Sequence, residues 1–174
     1  MKKKEKKGYL IWITGLSGSG KTSLANLIKS RIKNKYGKTL VINGDDLRKI
    51  FKFNKYDKNS RLEYGKQYCK LLKLITDQNI NVIFTVVGLF SMLRKWNRKY
   101  IRNYIEVYLK ADVSKIKKKK RKKIYLKNSK SIVGLQIKPE FPKTPDIIIE
   151  NDFSNSLSKL SDILFKKLIK KIKY

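Results

Sequence analysis

The stretch Gly15-Leu-Ser-Gly18-Ser-Gly20-Lys21-Thr22 constrains the fold more than any other part of the chain. It fits GxxxxGK[ST] at every fixed position and lies between an apolar run, YLIWIT at 9–14, and a helical pattern. Glycine costs backbone entropy, so three in so short a loop need a compensating role. Small residues let the backbone fold tightly, and its N–H groups then converge on phosphate oxygens. The helix that follows presents its positive end to the same anion. A surface turn of similar composition is the alternative, but the flanking strand and helix argue against it. The spacing therefore implies a nucleoside triphosphate site on a strand–loop–helix unit.

The rest of the chain repeats that alternation. TSLANLIKSRIKNKYG places Leu24, Leu27, Ile28 and Ile32 at helical spacing, with Gly37 as the stop. TLVIN at 39–43 reads as a second strand, followed by a short helix opened by Asp45 and Asp46. Residues 52–60 read as a loop, and 61–77 as a helix with Tyr64, Tyr68, Leu71, Leu72 and Ile75 on its apolar face. NVIFTVV at 81–87 is a third strand, a helix is expected near 90–101, and YIEVYLK at 104–110 is a fourth strand. Residues 131–145 carry Gly134, Pro139, Pro142 and Pro145 and read mostly as loop. DIIIE at 146–150 is a fifth strand, and Leu157, Leu160, Ile163, Leu164 and Leu168 mark a final amphipathic helix. The apolar strand runs are continuous, as in a parallel sheet covered on both faces. The expected fold is α/β, a P-loop nucleoside triphosphate hydrolase-like fold with about five parallel strands.

The 174 residues suffice for one domain, expected over 8–174 after a basic tail at 1–7, with a lid segment around 114–138. No run of 18 apolar residues occurs, so no spanning helix is expected, and cytoplasm is the default location. Cys69 is the only cysteine and there is no histidine. Cysteine metal clusters and histidine-based triads are thereby excluded. The net charge of +31 draws anions. Lysine, asparagine, isoleucine and tyrosine are all abundant, however, which a coding bias also produces. Nucleic-acid binding is not expected as the main function.

The expected cofactors are ATP and Mg²⁺. Gly15, Ser17, Gly18, Ser19, Gly20 and Ser23 form the phosphate cradle with Lys21 and Thr22. Lys21 can reach the β- and γ-phosphates, and Thr22 can place its hydroxyl on Mg²⁺. The third strand leads into Gly88 rather than aspartate. A small-molecule phosphotransferase fits better than a GTPase or a motor. INGDDLRK at 42–49 sits past the second strand, at the ligand-binding edge of such sheets. Of Asp45 and Asp46, one can cap the helix while the other faces the cleft, where a carboxylate can orient an acceptor hydroxyl and take its proton, although both can also be caps. Arg48 can grip an anionic acceptor, and Arg61 is a second candidate. Phe51 and Phe53 can stack on a base or be core. Asn97 and Arg98 are polar positions placed near the expected phosphate site.

These blocks together resemble the adenylylsulfate kinase family. The resemblance rests on IWITGLSGSGKTSLA, INGDDLRK, Arg61, NVIFTVVGLFSMLRKWNR, NYIEVYL, KKIYLK, IVGLQI and PDIIIEN, in family order over about residues 8–152. It implies transfer of the ATP γ-phosphoryl group to the 3′-hydroxyl of adenosine 5′-phosphosulfate, the expected partner molecule. It places Asp45 near the acceptor hydroxyl, Arg48 and Arg61 on the acceptor, and Lys66 at a family basic position. Lys122 to Tyr125 resembles a KGLY element beside the nucleotide, and a homodimer would fit the family. The chain departs from the family at Asn43, where aspartate is usual, and at Gly88-Leu89-Phe90, which replaces a serine-bearing SPY element. Tyr64 replaces an asparagine, the lid loses an acidic residue and a glycine, and Ile132 or Val133 replaces its stacking aromatic. These departures bear on acceptor choice more than on ATP. Two alternatives stand beside this reading. One is a kinase of another small anionic or sugar acceptor; the other is a non-catalytic RNA- or partner-binding domain using the basic run 117–123.

Overall fold

Five short strands rich in Ile, Val, Leu and aromatics alternate with helices; the three central strands are largely buried on both faces, while Leu40 and Ile148 on the edge strands stay exposed. The computed structural model describes residues 7–118, 133 and 137–173. The elements are β1 (Leu10–Thr14), α1 (Lys21–Tyr36), β2 (Thr39–Asn43), α2 (Gly44–Ile50), α3 (Lys58–Asp77), β3 (Asn81–Val86), α4 (Ser91–Tyr100), β4 (Tyr104–Lys110), α5 (Val113–Lys118), β5 (Ile147–Glu150) and α6 (Leu157–Lys171). The sheet has the order β2-β3-β1-β4-β5 and every pairing is parallel. The chain runs from β1 outward to β2, then crosses back over β1 to reach β4. That reversal opens a crevice beyond the carboxyl ends of β1 and β3, where open α/β sheets bind ligands.

The pleat of β1 divides the core in two. Ile11 and Ile13 face a layer built from α1 and α6, with Leu24, Ile28, Leu160 and Leu164. Leu10 and Trp12 face the other layer, built from α3 and α4, with Tyr68, Leu72, Phe84 and Leu93. Helices therefore cover both faces, the arrangement that continuous apolar strands require.

The helix that was to begin at Arg61 begins at Lys58. The Asp57 carboxylate accepts from the Ser60 N–H at 2.9 Å, a capping bond that pulls one more turn out of the polar loop. Leu27 and Ile163, placed on apolar faces by spacing, are 45% and 37% exposed. Each lies at the margin of its stripe, where periodicity cannot separate packed from solvated. In α3 the fully buried set is Gly65, Tyr68, Cys69, Leu72 and Thr76, and the expected Tyr64, Leu71 and Ile75 pack half-buried beside it. Of the lid expected at 114–138, α5 is a short helix anchored by buried Ile116; Lys122 lies outside the described residues.

Candidate active site

The loop after β1 turns on its glycines. Gly20 has φ +101°, a left-handed conformation that disfavours any side chain, and it opens α1. A Cβ at Gly15 would lie 2.4 Å from the Leu109 carbonyl oxygen, so the loop can pass over β4 only without one. Asn151, just past β5, donates from Nδ2 to the Ser19 carbonyl at 2.9 Å and accepts from the Phe153 N–H at 3.0 Å. It is buried and fixes the phosphate loop from the far side of the sheet. The Lys21 ammonium donates to the Leu16 carbonyl at 2.6 Å, across the mouth of its own loop.

Two cavities share this edge. The smaller, about 270 Å³, is lined by Ser17, Gly18, Gly20, Lys21, Thr22 and Ser23, together with Asn43, Asp45 and the end of β3. The larger, about 710 Å³, is lined by Asp45, Arg48, Phe53, Tyr56, Arg61 and Tyr68 among others. Asp45 borders both, as do Ser17, Val86 and Val87. Its carboxylate makes no hydrogen bond or ion pair among the described residues and is exposed. Asp46 is held instead. Asn43 accepts from Thr85 Oγ1 at 2.6 Å and donates to Asp46 Oδ2 at 2.8 Å, tying the first turn of α2 to β3. Neither aspartate caps α2; its N-cap is Asn43, and both acids lie in the first turn, where the helix dipole favours them.

The larger cavity carries two guanidinium groups on a scaffold of rings and carbonyls. Arg48 donates to the carbonyls of Phe53 at 3.2 Å and Lys55 at 2.9 Å, and its guanidinium lies over Tyr56 at 4.6 Å and Tyr64 at 5.3 Å. Arg61 donates to the Tyr56 carbonyl at 2.6 Å and lies 5.4 Å from the same Tyr56 ring. Burial lowers the Arg61 pKa, and the like charge of Arg48 lowers it further. Two cations held this close are complementary to a multiply charged anion. Phe53 stacks on Tyr64 with centroids 3.9 Å apart and planes 5° from parallel. Tyr64, the residue standing for a family asparagine, thus packs against both Arg48 and Phe53.

The remaining candidates fall elsewhere. Gly15 and Ser19 shape the loop without lining either cavity. Lys66 points to an exposed face and pairs with Glu63 at 2.6 Å, because its place on α3 is turned from the cavity wall. Arg98 is engaged by Glu106 at 3.1 Å and Asp146 at 3.0 Å, and Asn97 is buried under β4. Neither lines the phosphate cavity, both lying in the second half of α4. Two contributors escaped the sequence reading. Asn151 was visible only as a polar residue closing the apolar run IIIE. Glu140 accepts from the Ser91 N–H at 2.8 Å and hydroxyl at 2.6 Å, and its own carbonyl accepts from Arg94 at 2.7 Å. It holds the start of α4 against the segment that leads back toward Val133, a residue of the larger cavity.

Known proteins place this geometry. The family described as adenylylsulphate kinase matches residues 7–150. The chain belongs to the adenylylsulphate kinase family. A cytidine diphosphoramidate kinase from Campylobacter jejuni is 32% identical over 164 residues, covering 92% of this chain and 96% of its own. A probable adenylyl-sulfate kinase from Archaeoglobus fulgidus is 27% identical over 149 residues, 83% and 96% of the two chains. The structure of the Mycobacterium tuberculosis APS kinase, in complex with AMPPNP and APS, superposes with a TM-score of 0.83 at 22% identity, over 95% of this chain and 99% of that one. The fold is thus the P-loop kinase fold. Membership in this family makes the chain an ATP-dependent phosphotransferase of small anionic, nucleotide-linked acceptors. Such kinases use ATP with Mg²⁺, and Thr22, in the smaller cavity, offers a hard oxygen atom of the kind Mg²⁺ takes alongside phosphates.

Proposed function

We propose that the protein transfers the γ-phosphoryl group of ATP to the ribose 3′-hydroxyl of cytidine diphosphoramidate. The observation that carries the transfer is the position of Asp45 on the shared wall of the two cavities. The smaller cavity receives the triphosphate on the glycine loop and the N-terminus of α1. Lys21 exchanges its bond to Leu16 for the β- and γ-phosphates. Thr22 would hold the Mg²⁺ that comes with the nucleotide, and the ion would supply neutralisation of phosphate charge there. The acceptor lies in the larger cavity, its anionic tail between Arg48 and Arg61. Asp45 orients the hydroxyl in line with the γ-phosphorus and accepts its proton as the oxygen–phosphorus bond forms and ADP leaves. No covalent enzyme intermediate is needed.

The choice of acceptor rests on the Campylobacter jejuni relative and on where the chain departs from the adenylylsulfate kinase pattern. Two of those departures touch the acceptor cavity: Gly88 and Phe90 after β3 line it, and Tyr64 stacks on Phe53, which lines it too. A tyrosine ring in place of a short amide narrows the space beside Phe53, which suits a one-ring base. Adenosine 5′-phosphosulfate is the second reading, favoured by the family match and by the Archaeoglobus fulgidus relative. The test is kcat/KM for the two acceptors with the same protein and ATP, with the product's phosphorylated position established by NMR. A preference for the cytidine compound of tenfold or more is expected. Preference for adenosine 5′-phosphosulfate would return the assignment to the second reading.

A further inference from the structure

The floor of the larger cavity holds two polar groups that the phosphotransfer does not use. Trp12 on β1 and Tyr68 on α3 both line it, at 0% and 3% exposure. The Trp12 Nε1 and the Tyr68 hydroxyl have no hydrogen-bond partner among the described residues. Buried donors are almost always paired, so two orphans on one cavity wall call for a reason. Their orientation supplies it. A Cβ at Gly88 would lie 2.9 Å from Trp12 Cζ2 and 3.5 Å from Cε2, the ring edge that carries Nε1. Gly88 itself lines the cavity, so that edge sits directly behind the cavity wall. The Tyr68 phenol lies within the fields of Arg48 and Asp45, two further cavity residues, while burial raises its pKa. Both rings pack on Phe84, at 4.9 and 6.0 Å between centroids, which locks them under the site. Neither the buried Asn97 nor Tyr104 lines either cavity.

We propose that Trp12 Nε1 and the Tyr68 hydroxyl are specificity-determining groups that bind the polar edge of the acceptor's heterocyclic base. An indole N–H only donates, so it takes a ring nitrogen or carbonyl oxygen. A phenol both donates and accepts, so it can also take an amino group. A base with an amino group beside a ring nitrogen satisfies the pair, and a sugar phosphate without a base leaves both unpaired. Excluding water from such donors makes their bonds to a ligand more discriminating. This inference rests on the reading that the larger cavity receives a nucleotide-linked acceptor.

The experiment is calorimetric titration of protein loaded with a non-hydrolysable ATP analogue. The probes are cytidine 5′-diphosphate and base-less ribose 5-phosphate, against wild type and Tyr68→Phe. The variant is expected to bind the cytidine nucleotide about tenfold more weakly. Its affinity for ribose 5-phosphate should be unchanged, and its thermal midpoint unchanged or raised, since the lost hydroxyl had no partner. Trp12→Phe should act in the same direction; if that core variant does not fold, Tyr68→Phe decides alone. Equal binding of the nucleotide by wild type and Tyr68→Phe overturns the inference while leaving the function standing. Equal weakening toward both probes also overturns it, by marking a structural role. Failure of wild type to bind the nucleotide at all overturns the functional reading and this inference with it.

Discussion

A single carboxylate separates the two cavities, and its neighbour of the same type is tied down by Asn43. That contrast assigns different roles to Asp45 and Asp46, which spacing alone treated as equivalent. Asp45→Asn keeps the shape and removes the base. It is expected to lower kcat by about 10²–10⁴-fold with the KM for ATP unchanged, measured by steady-state kinetics. A chemically quiet residue gives the complementary prediction. Burial pushes the Cys69 thiol up to about 12, so it stays protonated, and hence unreactive, well above neutral pH. Iodoacetamide at pH 8 should label it only after denaturation, as read by mass spectrometry. At this scale the phosphate loop was the most legible part, because its residues are local in sequence, although Gly15 and Ser19 line neither cavity. Asn151, Glu140, Trp12 and Tyr68 were not, because each acts across the fold from an element that no spacing rule connects to the site. Lys66 erred in the other direction: a family position was occupied by a lysine that α3 turns outward.

Among the elements, the strands were read nearly to the residue, with β2 at 39–43 and β4 at 104–110 as expected. Continuous apolar runs bounded by polar residues leave little choice of limits. Helix starts were less legible, since the Asp57 cap of α3 depends on a side-chain bond inside what reads as loop. What fixes the site is the joining of elements. Asn151 links β5 to the loop before α1, so Asn151→Ala should raise the KM for ATP about tenfold while the acceptor KM stays within twofold. Arg94 and Glu106 form a buried pair at 3.0 Å between α4 and β4. Removing one partner strands the other charge, so Glu106→Gln should destabilise the fold by about 3–5 kcal/mol in urea unfolding. The Glu140 clasp on α4 is pH-dependent. Its bonds from Ser91 hold the carboxyl below its ordinary 4.5, so the clasp's contribution is complete above that pH and is lost as pH falls through the lowered value.

The whole molecule carries a charge of +31, and both substrates of the proposed reaction are anions. Such a field speeds their capture, and added salt screens it. Raising the salt from 0.05 to 0.5 M should therefore raise both KM values several-fold and change kcat far less. Composition shows the field but not its purpose, which only the cavities supply. The acceptor was likewise beyond composition: the fold alone is shared with proteins such as a gluconokinase from Sinorhizobium meliloti, at a TM-score of 0.63 and 15% identity. The central claim is that this crevice moves a phosphoryl group from ATP to a nucleotide-linked hydroxyl. The most direct measurement follows label from γ-³²P-ATP with Mg²⁺, with and without cytidine diphosphoramidate, using wild type and Asp45→Asn. Label in the 3′-phosphorylated acceptor, dependent on acceptor and lost in the variant, is the predicted result. Label released as inorganic phosphate at the same rate without acceptor would contradict the account.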